Sequence, residues 1–235
     1  MIAYVDARRG IGGSSLLAAL VDAGADVDEI GDRLGFLVSS HAKLRAEETV
    51  VGGMRSCRVE IEDAHDRIVD GPADLLSKLA AGGLPSRARE RAVDVYRRLA
   101  AAEARVHGAE PDGVRFEELA GLRSIVGVLG ALLALEQLEI DVVSSSALPF
   151  GGGTTETHHG RLPLPAPATL ELLRGTPVEP QTGPGELVTP TGAALLASLT
   201  SSFGEIPAMT IGTIGVGSSP SGGATIVTRV VIGRT

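Results

Sequence analysis

Apolar residues recur along this chain at two periods, strand-like and helix-like, that take turns from one end to the other. Residues 2–7 form a short apolar run that predicts a buried strand. In residues 14–22, Leu16, Leu17, Leu20 and Val21 share one helical face. Residues 26–35 predict a second short helix, capped by Asp26 or Asp28. Residues 42–50 and 55–61 read as two strands of a hairpin turning at Val51-Gly52-Gly53. Residues 62–72 are polar, and there His65 lies among carboxylates, as a metal loop or a solvated one.

The second half repeats the alternation. Residues 86–107 predict a long amphipathic helix with Ala92, Val95, Tyr96, Leu99 and Val106 toward one face, started by Pro85-Ser86 and stopped by Gly108. A core helix is predicted over 117–138, with Glu117 and Glu118 in its first turn suiting the dipole. Residues 141–148 read as a strand, and the glycines 151–153 as a tight turn or a close approach. Prolines 163, 165 and 167 make 162–167 a stiff extended run leading into a helix over 168–174. Residues 179–186 read as a Pro/Gly loop. Thr189 and Pro190 then cap and open a helix running to 201. Strands over 208–215 and 225–232 flank a flexible glycine-rich 217–223. The pattern predicts an α/β, or α+β layered, fold: a mixed sheet with packed helices. It fits one domain over 1–235, or two closely packed lobes near 1–82 and 83–235.

Composition narrows the function. With 235 residues, 3% aromatics and no Trp, the core must be built from Leu, Val, Ile and Ala. A net charge of −8 without basic–aromatic clusters argues against a nucleic-acid surface. The single Cys57 excludes an internal disulfide, fits a reducing cytoplasm, and reads as a small strand residue. Residues 125–135, the most apolar stretch, are too short to span a bilayer, and no targeting segment is visible. The expectation is a cytoplasmic protein with no membrane partner.

Two stretches carry candidate chemistry. Gly10-Ile11-Gly12-Gly13-Ser14-Ser15 lies between a strand and a helix start, where an anion could bind or where glycine simply permits the turn. His158-His159 precedes the proline run, either as ligands or as solvated loop residues.

These stretches, with Asp6, Ala104-Arg105-Val106-His107-Gly108, Phe116-Glu117-Glu118, the run His159-Gly160-Arg161-Leu162-Pro163-Leu164-Pro165-Ala166-Pro167-Ala168-Thr169, and Gly185-Glu186-Leu187-Val188-Thr189-Pro190-Thr191-Gly192, resemble the amino-terminal part of the LarC family. The resemblance implies nickel insertion into a pyridinium-3,5-bisthiocarboxylate mononucleotide, driven by CTP with Mg2+ or Mn2+. It implies His158, His159 and Glu118 as nickel ligands, with Glu118, His159 and Asp6 as catalytic groups. Gly10, Gly12, Gly13 and Ser14 would hold a phosphate, and Arg161, Glu186 and Thr189 would position the nucleotide. The family's carboxy-terminal ferredoxin-like nucleotide domain has no counterpart in these residues. That leaves room for a separate LarC-type subunit supplying it, or for a homo-oligomer.

Departures open a second reading. Arg9 and Ser14 replace the family's serine and second aspartate in the first turn. Arg115 and Glu117 stand where the family has histidines, and Arg123 and Gly127 where it has aspartates. The alternative is a catalytically silent paralogue in which Arg8, Arg9, Arg115 and Arg123 make a cationic pocket for a phosphate-bearing molecule or a partner.

Overall fold

The computed structural model describes residues 1–37, 43–62 and 68–234; His65 and its loop lie outside them. A seven-stranded mixed sheet forms the base. Its strands are β1 (Ile2–Arg9), β2 (Leu44–Val51), β3 (Met54–Ile61), β4 (Val142–Ser145), β9 (Thr200–Phe203), β10 (Thr210–Ser221) and β11 (Ala224–Arg234). They lie in the order β2-β3-β10-β11-β1-β4-β9. β1 runs antiparallel to β11 and parallel to β4, the mixed α/β arrangement that the sequence pattern predicts.

Helix α1 (Gly13–Asp22) lies directly on the sheet. Gly215 and Gly217 of β10 make this possible: a Cβ at Gly217 would sit 2.2 Å from the Ala19 nitrogen and the Ser15 oxygen. Helix α5 (Leu122–Gln137) covers the other side of α1, and nearly every residue from Ile125 to Leu135 is buried. They meet glycine on glycine: a Cβ at Gly13 would lie 3.0 Å from the Gly127 carbonyl carbon, and one at Gly127 would lie 3.0 Å from that of Gly13. α4 (Ser86–His107) packs outside them, against α5, α3 (Pro72–Ala81), α6 (Pro167–Leu172) and α7 (Pro190–Leu199). One hydrophobic core draws on both halves of the chain, from Ala3 to Ile232.

Several expectations need correction. The helix predicted over 117–138 begins only at Leu122, since Gly121 is extended and residues Glu118–Ala120 form a separate 3₁₀ turn. Glu117 and Glu118 therefore do not occupy its first turn. Residues 141–148 divide into β4 and β5 (Leu148–Gly152). The expected loop over 179–186 is largely β8 (Val178–Pro184), paired in parallel with β5 in a separate two-stranded sheet, an edge position where proline is tolerated. The expected flexible 217–223 belongs mostly to β10, whose glycines are required by α1 and which pairs with β11 through Ser221. α7 ends at Leu199 because Thr200 turns extended and opens β9. Val106 does not join the core face of α4 and is 40% exposed.

Cys57 is a buried residue of β3, as expected. Burial, with a smaller contribution from the Asp22 carboxylate, raises its thiol pKa to about 11. The folded protein thus holds this proton more tightly than the unfolded chain, and its contribution to stability is lost as pH rises from about 9 through 11. Alkylation by iodoacetamide at pH 8 should be at least about 100-fold slower in native than in urea-unfolded protein. Comparable rates would show that Cys57 is accessible. Among the described residues no helix is long and apolar enough to cross a membrane.

Candidate functional site

Beyond the carboxyl end of β1 the chain passes through Gly10–Gly12 into α1, and here the sequence builds a clasp. Ile11 N–H donates to Leu187 O at 2.8 Å and Thr189 N–H returns a bond to Ile11 O at 3.0 Å. This short parallel pairing sets the start of α7 beside the start of α1. Thr189 caps α7 through a bond from Gly192 N–H, and Thr191 Oγ1 accepts from Gly13 N–H at 3.2 Å. A Cβ at Gly192 would fall 2.4 Å from Ile11 O. The Thr-Pro-Thr-Gly stretch is therefore explained residue by residue: a cap, a first-turn proline, an acceptor for α1, and a close approach.

The clasp is one wall of a cavity of about 310 Å3. Three helix starts line it: Gly12, Gly13 and Ser14 of α1, Arg123 and Ser124 of α5, and Thr189, Pro190 and Thr191 of α7. Each brings the positive end of a dipole of roughly half a charge. Arg115 and Arg123 face the same space, and among the described residues neither has an ion-pair partner. The cavity also contains His107, His159, Glu103, Glu117, Glu156 and Glu186. The His107 and His159 ring centres are 4.8 Å apart and tilted by 48°. Glu103 lies one helical turn before His107, its Oε2 3.5 Å from Nε2.

His159 reaches the cavity from a hairpin of β6 (Thr154–Thr157) and β7 (Gly160–Pro163), whose tip is His158-His159. Thr157 Oγ1 fixes that tip by accepting from His159 N–H at 3.1 Å. The proline run continues from β7 into α6, which opens on Pro167 rather than on Ala168. The neighbouring His158 is not a lining residue: it stays mostly exposed, with Nε2 3.7 Å from Glu117 Oε2.

Of the residues singled out from sequence, Gly12, Gly13, Ser14, His159, Glu186 and Thr189 converge on this cavity. Glu186 accepts a short 2.5 Å bond from Ser221. The N–H groups of Gly10, Gly12 and Gly13 donate to Ala7 O, Ser15 Oγ and Thr191 Oγ1 respectively. An anion here would meet the field of the helix ends and the arginines rather than a cradle of those three groups. Asp6 does not join: it lines a second cavity of about 220 Å3 with Arg8, Arg9 and Arg229, and bonds Arg229. The four arginines expected in one pocket divide two and two, Arg115 and Arg123 in the first, Arg8 and Arg9 in the second. Arg161 is exposed and paired with Glu156 at 2.9 Å. Glu118 belongs to the 3₁₀ turn beside the cavity residues Glu117 and Leu119. Sequence reasoning missed His107 and Glu103, although their i, i+4 spacing near the end of an amphipathic helix was a usable signal.

A family model for nickel insertion proteins matches residues 3–232. The chain belongs to the nickel insertion protein family. A protein named for nickel insertion from Geobacter sulfurreducens is 41% identical over 92% of this chain and 56% of its own length. The pyridinium-3,5-bisthiocarboxylic acid mononucleotide nickel insertion protein of Staphylococcus epidermidis is 38% identical over 92% of this chain and 54% of its own. The chain therefore spans about half the length of these relatives. No solved structure matches it.

Proposed function

We propose that this chain carries the nickel- and substrate-holding part of a nickel insertion protein acting on a phosphate-bearing pyridinium mononucleotide. One observation carries the reading: a single cavity is lined by both anion-attracting and cation-attracting groups. Three helix starts with Arg115 and Arg123 suit a phosphate, and paired imidazoles among carboxylates suit a divalent transition metal. Nickel is cargo here, consumed with the substrate. Forming a carbon–nickel bond at a ring carbon displaces one proton, and Glu117 and Glu186 are cavity carboxylates able to accept it. CTP with Mg2+ or Mn2+ would bind outside these residues, on sequence corresponding to the unmatched part of the relatives or on a second subunit. Cytoplasmic function fits this chemistry.

A silent anion-binding paralogue is the second reading. It is favoured by one observation: no group of three or more His, Cys, Asp or Glu among the described residues is placed to hold a metal ion. Calorimetric titration with Ni2+ separates the two. Wild type should bind with micromolar strength, and His158→Ala/His159→Ala should lose that binding while remaining folded. No binding by folded wild type would discard metal chemistry in favour of the paralogue.

A further inference from the structure

We infer that His107 and His159 hold nickel through two adjacent coordination positions, that sulfur donors of the substrate fill others, and that Glu103 orients the His107 ring. This rests on the proposed nickel function and specifies its ligands.

The ring spacing is the first support. An ion about 2.1 Å from a ring nitrogen lies roughly 3.2 Å from that ring's centre. Two such rings at a right angle about the ion have centres roughly 4.5 Å apart, close to the 4.8 Å between His107 and His159. Their tilt of 48° is not that of a parallel stack. Glu103 Oε2 faces Nε2 of His107, leaving Nδ1 as the coordinating nitrogen. A carboxylate behind a ligating imidazole fixes its tautomer and ring orientation, so Glu103 is a positioning residue. His158, which does not line the cavity, contacts Glu117 and is not part of this pair.

The open coordination positions are the second support: among the described residues no third His, Cys, Asp or Glu is grouped with the pair. A metal caged by the protein alone would be slow to leave, whereas two imidazoles leave open positions. Thiocarboxylate sulfur, a soft donor, suits nickel at those positions. Arg115 and Arg123 line the same cavity and suit the phosphate of the same molecule.

The test is Ni2+ titration of the full chain with and without thiobenzoate, a simple thiocarboxylate, followed by calorimetry and by the sulfur-to-nickel charge-transfer band. In wild type, thiobenzoate should tighten nickel binding at least about tenfold and produce the band. His107→Ala should lose both effects, and Glu103→Gln should keep the band but bind roughly tenfold more weakly. Thermal unfolding checks that each variant is folded. If wild type binds nickel but His107→Ala binds it equally, or if thiobenzoate changes nothing, the ligand assignment is wrong and the nickel function stands. If folded wild type binds no nickel under either condition, both are wrong.

Discussion

Replacing Gly217 with valine should destabilise the protein by about 3 kcal/mol or more, the upper range for overpacking a close contact. The Cβ would meet the Ala19 nitrogen and the Ser15 oxygen, each at 2.2 Å, and both are backbone atoms of α1. No rotamer change relieves a clash with backbone. α1 would have to lift from the sheet, but Leu17 is held from the other side, where a Cβ at Gly130 would lie 2.8 Å from Leu17 Cδ2. For a chain of this length the expected loss in Tm is roughly 10 °C. Nickel and anion binding should weaken as well, because α1 begins with Gly12, Gly13 and Ser14 in the cavity wall. Gly212→Ala is the control on the same strand: its Cβ would lie 3.6 Å from Ile232 O, an ordinary contact, and Tm should stay within about 2 °C. Equal melting of both variants would mean that the α1–β10 contact is not the constraint described.

The same glycines show what the sequence could and could not convey. Gly217 sits in a run whose composition reads as flexible, yet it is strand because a helix backbone needs the space a side chain would take. Composition records the absence of a Cβ but not what lies opposite. Pro180, Gly183 and Pro184 misled in the same way, since β8 pairs with β5 in a sheet of only two strands. Where the signal is local, it sufficed. α4 begins after Pro85 and ends at Gly108, whose left-handed φ of 61° stops the helix. Asp26 caps α2 (Val27–Leu34) by accepting from the N–H groups of Asp28 and Glu29. The site divides along this line. The helix start at Gly12–Ser14 and the cap at Thr189 are local features and were legible. Three helix starts around one cavity, and His107 against His159 across 52 residues of chain, arise only from tertiary packing.

Reversing charge at Arg115 and Arg123 gives the sharpest test of a cavity that takes both a phosphate and a metal ion. Each arginine can give a phosphate charge-assisted hydrogen bonds worth about 1.5–3 kcal/mol, and neither has a competing ion pair among the described residues. Losing both should weaken binding of nicotinate mononucleotide, a pyridinium mononucleotide probe, by at least about 100-fold. Glutamates at these positions would add repulsion of the phosphate, so Arg115→Glu/Arg123→Glu should exceed the double alanine variant. The wild-type affinity should also fall as salt rises, and that dependence should flatten in the variant. Nickel responds with the opposite sign. Two new carboxylates near a cavity already holding Glu103, Glu117, Glu156 and Glu186 attract a divalent cation, so Ni2+ affinity should hold or increase. Paired titrations of the double variant with the mononucleotide and with Ni2+ would read both effects. An unchanged mononucleotide affinity would remove the phosphate from Arg115 and Arg123. Loss of nickel together with the mononucleotide would mean that the arginines and the metal-binding groups do not act separately.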